Sequence, residues 1–144
     1  MKSKLIHEDR QKTYALVFGI GDEVIAGLRS FASEHNVGAA QFTGIGAFSE
    51  VTLGYFAWQH KEYEEIPLDE QVEVLTLAGD IAELDGEPQV HAHVAVAKRD
   101  GTAHGGHLLH ARVRPTLEVI LVESPAHLHK KLSPAAGVPL IDLD

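Results

Sequence analysis

The 144-residue chain contains no cysteine. That excludes a disulfide framework, a thiolate metal site and a cysteine nucleophile, and it agrees with a reducing, cytoplasmic setting. No apolar run approaches the roughly 20 residues a membrane helix needs, so a soluble protein with no membrane partner is expected. Met1 to Asp9 turns acidic before any apolar stretch develops, which argues against a standard signal peptide. Cations are scarce: 12 Lys and Arg stand against 21 Asp and Glu, a formal net charge of -9. Nucleic-acid binding draws much of its affinity from Lys and Arg neutralising phosphates. Direct DNA binding is therefore disfavoured, unless Lys98-Arg99 and Arg112-x-Arg114 form a local basic patch. Two further absences narrow the field. Gly19-Ile20-Gly21 lacks the third glycine of a dinucleotide fingerprint, since Val24 stands there, and no Gly-Lys-Ser/Thr follows. Neither Ser49 nor Ser124 lies in a nucleophile turn.

What the chain does have is histidine, 10 in all, and three of them are arranged suggestively. Val90 to Ala97 alternates valines 90, 94 and 96 with small residues and histidines, the period of a strand. His91 and His93 then share one face, roughly 6.5 Å apart along the chain, close enough to lean toward a common ion. Ala95 and Ala97 continue that face with little bulk. Neither face carries charge, so the strand is expected to be covered on both sides, with the histidines looking into an enclosure. Lys98-Arg99-Asp100-Gly101 reads as a hairpin turn, and Gly105-Gly106 allows a close backbone approach just before His107. Three neutral imidazoles leave one coordination position open, as in zinc sites that bind water or a ligand. A lone histidine is more often a surface or hydrogen-bonded core residue, but an i, i+2 pair on an apolar strand needs partners. His104 and His110 are weaker candidates, because on a strand His107 points to the opposite face.

Along the chain, Thr13–Ile20 reads as a first strand with Tyr14, Leu16, Phe18 and Ile20 on one face. Asp22 is placed to cap a helix with Val24, Ile25, Leu28, Phe31, Ala32 and His35 on one stripe, closed by Gly38. Gly38–Ser49 and Val51–Trp58 read as two strands, with Gly44-x-Gly46 marking a bulge or a close approach, and Lys61–Pro67 as a polar partner strand. In Val72–Asp80, Val72 and Val74 fall on one face and Leu75, Leu77 and Ile81 on the other, so this strand is expected to be apolar on both sides. Asp85-Gly86-Glu87-Pro88 is a turn into the histidine strand. Val113–Val122 is a last long strand, ended by Ser124-Pro125. The tail 126–144 is read as short and irregular, with one helical turn around His127 to Leu132 and with His127 and His129 solvated. The result is a single domain over 1–144 of α+β class: about seven strands in a mostly antiparallel sheet with one main helix.

Several of these segments together resemble the plant and prokaryote conserved (PPC, also PCC) domain. They are Gly44-Ile45-Gly46-Ala47-Phe48-Ser49, Glu73 to Ile81, Asp85-Gly86-x-Pro88-x-Val90-His91-x-His93-Val94, Arg99-Asp100-Gly101 and Gly105-Gly106-His107-Leu108. Gly21-Asp22-Glu23-Val24 before the helix also fits, and the likeness spans nearly the whole chain. It implies an antiparallel-sheet domain assembled as a homotrimer. In plant members the domain follows an AT-hook and regulates transcription. Prokaryotic members stand alone and are often labelled DNA-binding. The positions matching His91, His93 and His107 are the family's polar cluster and act as metal ligands in some stand-alone members. Three departures stand out: Gln89 replaces a further histidine, no Arg-Gly-Arg hook exists to read a minor groove, and Glu70 to Leu75 lacks the arginine of the plant partner-binding segment.

Three functional expectations follow. The first is a homotrimer binding a divalent metal, zinc foremost, or a small ligand through His91, His93 and His107, in a regulatory role. The second is a DNA-binding or transcription-associated protein, as the family label implies. The third is a metal-dependent hydrolase in which a bound ion activates water; Glu118 and Asp80 are then the strand acids to try as proton shuttle, though no spacing singles out either.

Overall fold

The computed structural model describes residues 1–8, 11–126 and 128–143. In chain order the elements are β1 (Lys2–Glu8), β2 (Lys12–Phe18), α1 (Val24–Glu34), β3 (Ala39–Ala57), β4 (Glu62–Leu68), β5 (Val72–Leu84), β6 (Glu87–Ala97), β7 (Ala103–Glu123), β8 (His129–Leu132) and β9 (Pro139–Asp142). All nine strands join one sheet, ordered β1-β2-β7-β3-β5-β8-β9, with β4 beside β3 and β6 between β5 and β7. Its pairings are antiparallel apart from a parallel contact of Glu83 in β5 with His129 in β8. A mostly antiparallel sheet with one helix is thus what forms. Among the described residues no helix is long and apolar enough to cross a membrane.

The strand count exceeds the expected seven because both ends of the chain pair. β1, in a stretch that reads only as polar, lies along β2 from Lys2↔Val17 to Glu8↔Lys12. The tail, expected to be irregular with a helical turn, folds into the β8–β9 hairpin with Lys130 opposite Ile141. Local helix preference is weak over four residues, and a partner strand outweighs it. His127 lies outside the described residues.

α1 packs Val24, Leu28, Phe31 and Ala32 into a core shared with Tyr14, Leu16 and Phe18 of β2, Phe42 and Phe48 of β3, and Leu117, Val119 and Leu121 of β7. Tyr14 meets Phe31 edge-on at 5.1 Å. β2 ends at Phe18, so Ile20 is 76% exposed rather than in line with that face. Glu23, not Asp22, caps the helix, its Oε2 accepting from the Ala26 N–H at 2.6 Å. Asp22 is drawn away, accepting from the Gly19 N–H at 2.8 Å and facing the Met1 ammonium at 2.6 Å. At the other end the helix stops at Asn36 (φ 53) rather than Gly38, asparagine being the non-glycine residue that most readily takes a left-handed turn.

The two strands expected between Gly38 and Trp58 are one 19-residue strand, β3, bent by register shifts against β7 and β5. Of the two readings of Gly44-x-Gly46, a close approach is what forms: β3 runs in regular register against β7 there, and the shift against β5 (Gly44↔Leu77, Gly46↔Val74) places the extra residue on β5. At Gly46 (φ 157) a Cβ would fall 2.3 Å from the Thr116 carbonyl oxygen, so glycine alone lets β3 lie this close to β7. That bulge in β5, between Val74 and Thr76 against β6, corrects the reading of this strand. It resets the alternation, so Val72, Val74, Leu77 and Ile81 are all buried on one face while Leu75 is 52% exposed.

Candidate metal centre

Two turns bring three histidines together. Asp85 (φ 52) and Gly86 (φ 83) close a two-residue hairpin between β5 and β6, with Leu84 opposite Glu87. That fixes the register and sets His91 beside Asp80 and His93 beside Ala78. Ala92, Val94 and Val96 turn inward and are buried, so His91 and His93 face outward. The second turn, Lys98 to Thr102, is held by Asp100 Oδ1, which accepts from both the backbone N–H and the hydroxyl of Thr102. It returns the chain as β7, with His107 directly opposite His93.

The three imidazoles each offer a nitrogen within 4.8 Å of the others. Ring centroids lie 5.1 Å apart for His91 and His93, 5.3 Å for His91 and His107, and 5.4 Å for His93 and His107. His104 and His110 do not join them: His104 sits opposite Val96, and His110 lies between Glu23 (3.4 Å) and Glu50 (3.6 Å). Among the described residues of the single chain the expected enclosure is absent. His91 and His93 are exposed and His107 is half-buried, because no described residue covers the outer face of β6 there and Ala95 and Ala97 add little bulk.

Side chains behind the rings orient them. Asp80 Oδ2 lies 3.2 Å from His91 Nδ1, so Nδ1–H donates to the carboxylate and Nε2 stays free. Tyr63 of β4 stacks on His107 at 4.4 Å, and its hydroxyl stands 3.5 Å from Nδ1. Lys130, its side chain only 5% exposed, reaches in from β8 and faces Asp80 Oδ1 at 2.7 Å. That oxygen is sealed from solvent, and its contact with Lys130 is an ion pair outside regular hydrogen-bond geometry. Burial alone would raise the Asp80 carboxyl, but the contacts with His91 and Lys130 outweigh it and hold the group below the usual carboxylate range. Asp80 is thus engaged at both oxygens, by His91 and by Lys130. Glu118, the other acid considered, pairs with Ile45 and Val17 much farther along β7. The hairpin turn at 85–86 signals the Asp80–His91 pair by register alone. Tyr63 and Lys130 arrive through long-range packing and leave no local mark in the sequence.

Burial and the neighbouring His91, His93 and Lys130 push His107 down to about 4, and burial with His91 also lowers His93. The folded form therefore resists protonation where the unfolded chain accepts it. Stability of the metal-free protein is expected to fall as pH drops from about 6.5 toward 4, and this contribution vanishes above that window. Solvent at the half-exposed His107 ring screens much of the effect, leaving about 1 kcal/mol. Thermal melts from pH 7 to 4.5 check it: His107→Asn should flatten the decline, and an equal decline in the variant refutes the assignment.

Residues 6–125 match the Plants and Prokaryotes Conserved (PCC) domain. Among solved structures, a candidate DNA-binding protein from Ralstonia eutropha is 30% identical, with 91% of each chain covered and a TM-score of 0.86. A plant- and prokaryote-conserved protein from Pyrococcus horikoshii is 29% identical over 99% of this chain and 96% of its own, with a TM-score of 0.85. A metal-containing protein from Archaeoglobus fulgidus is 29% identical over 98% of this chain and 99% of its own, with a TM-score of 0.84. No match was found among curated proteins. The domain match over most of the chain, together with a shared fold at these identities, establishes that this chain belongs to the PCC domain family.

Proposed function

We propose that this chain is a homotrimeric domain binding a divalent metal ion, zinc foremost, through His91, His93 and His107, in a regulatory rather than a catalytic role. The observation that carries the reading is the convergence of three imidazole nitrogens within 4.8 Å. The donor set suits the ion: His91 and His107 are engaged at Nδ1, which leaves Nε2 as the ligating atom, and a carboxylate behind a histidine is the usual support of a metal ligand. A divalent ion on three neutral imidazoles supplies a Lewis-acidic position open to a small ligand. The metal-containing relative supports the same reading. Against catalysis, Asp80 is locked between His91 and Lys130, and among the described residues no carboxylate joins the three rings.

Assembly is supported by an apolar patch on the outer sheet face, where Val17, Ile45, Leu75 and Ile120 are between 41% and 62% exposed. A patch of this kind on a soluble domain marks an interaction surface. The DNA-associated role implied by the family label has less support. Lys98 faces Glu70 and Arg112 faces Glu50 at 3.4 Å, so each basic pair has a cation already matched by a carboxylate. Crystals of the zinc-loaded protein, measured at the zinc absorption edge, are expected to show one anomalous peak beside the three imidazoles in each of three symmetry-related copies. A peak elsewhere, or none, would overturn the metal reading.

A further inference from the structure

The C-terminal hairpin contributes a residue to this centre from outside the family match, which ends at residue 125. Lys130 is the buried charged side chain among the described residues, and it stands behind Asp80, which in turn stands behind His91. The charge arithmetic around the three rings is simple. Ligating histidines are neutral. The carboxylate nearest them is cancelled by the Lys130 ammonium at 2.7 Å. Tyr63, the other polar group beside the rings, is a phenol whose burial pushes its ionisation up. Among the described residues, the groups beside the three rings therefore supply no net negative charge to offset a doubly charged ion. His91 and His93 are open on the solvent side, so a ligand can reach the position that remains.

We infer that the loaded centre takes a small oxyanion such as a carboxylate, and that Lys130 sets this preference by neutralising Asp80. The inference rests on the metal reading above and adds to it the class of ligand and the residue that selects it. Had Lys130 been absent, Asp80 would lend its charge to the ion through His91, and an incoming anion would meet a less positive centre. The ammonium is two contacts removed from His91, through Asp80, and a partly buried charge is felt over a screening length of about 10 Å. Another purpose for Lys130, holding Asp80 in place by contact alone, makes a different prediction, because it depends on shape rather than on charge.

The test loads each protein with cobalt(II) at saturation, confirms the load by elemental analysis, and titrates acetate while following the visible cobalt absorption. Wild type is expected to bind acetate, and Lys130→Met to bind it about tenfold more weakly. Asp80→Asn, which leaves Lys130 unopposed, should bind about tenfold more tightly. The double variant Lys130→Met/Asp80→Asn removes both charges and should return to the wild-type affinity, an outcome a contact role would not produce. Lys131→Met, on the exposed neighbour facing Asp142 at 3.5 Å, should change nothing. Full cobalt with equal acetate affinity in wild type and Lys130→Met, or a double variant as weak as Lys130→Met, overturns this inference alone. If Lys130→Met does not fold, Asp80→Asn decides by itself, since unchanged or weaker acetate binding there is equally fatal. Wild type that takes up no cobalt overturns the metal reading beneath it and this inference with it.

Discussion

Replacing His91 and His93 together by alanine is expected to reduce bound metal from about one ion per chain to background. The substitutions remove two of three converging donors and leave His107 with a stacking partner but no second ligand. Structural zinc binding by a full donor set is worth about 10–16 kcal/mol, so loss of two donors should cost at least a thousandfold in affinity. The fold should survive, because both side chains are exposed on the outer face of β6 while the buried alternates Ala92, Val94 and Val96 are untouched. Strand propensity at two exposed positions amounts to about 1 kcal/mol or less. The comparison therefore has a built-in control. Zinc at a hundred times its dissociation constant should stabilise wild type by about 2.7 kcal/mol, and the double variant should melt at one temperature with or without it. Stoichiometric metal in the refolded double variant would end the assignment of these residues.

The second large effect is expected at Gly79. A Cβ there would lie 2.3 Å from the His91 carbonyl oxygen and 2.4 Å from Phe42 Cζ. One obstacle is the backbone of the neighbouring strand, the other a core ring only 2% exposed. Neither can step aside cheaply, so Gly79→Ala must either lift β6 off β5 where Gly79 pairs with Ala92 or repack Phe42. Overpacking against fixed neighbours costs about 3 kcal/mol, which lowers the melting temperature by roughly 10 °C in a domain of this size. Because the displaced carbonyl belongs to His91 itself, metal affinity should fall in parallel. A melt within about 3 °C of wild type, with metal binding intact, would show that the strand gap is softer than its geometry implies.

The site was more legible in the sequence than the sheet around it, and the reason is range. His91 and His93 share a face by strand parity alone, and the Asp85-Gly86 and Asp100-Gly101 turns carry their own chemistry, so the approach of His107 could be reasoned from neighbours a few residues apart. The phase of β5 could not, because the bulge at Val74/Thr76 is set by its pairing with the strands on both sides, β3 and β6. Nor could the helix cap. Glu23 and Asp22 are both competent, and the competition is settled by the Met1 ammonium, which claims Asp22. β1 and the tail hairpin were missed because Lys2–Glu8 and His129–Leu132 lack apolar alternation; they are strands because partners exist for them. Solvent access departs from the sequence pattern for a related reason. An uncharged strand face implies a cover, and in the single chain nothing described lies over His91 and His93.

The placement of β2 bears on how the protein is born. Residues 13–18 are made early, yet the strand they pair with on the core side is 117–122, near the far end of β7. At roughly 5–20 residues per second, several seconds of translation separate the two. During that wait Tyr14, Leu16 and Phe18 have β1 and α1 to pack with but not β7, and joining strands so distant in the chain is slow in itself. The side of β2 that β7 will cover therefore stays open longest, and a chain halted before residue 117 keeps that strand edge unpaired.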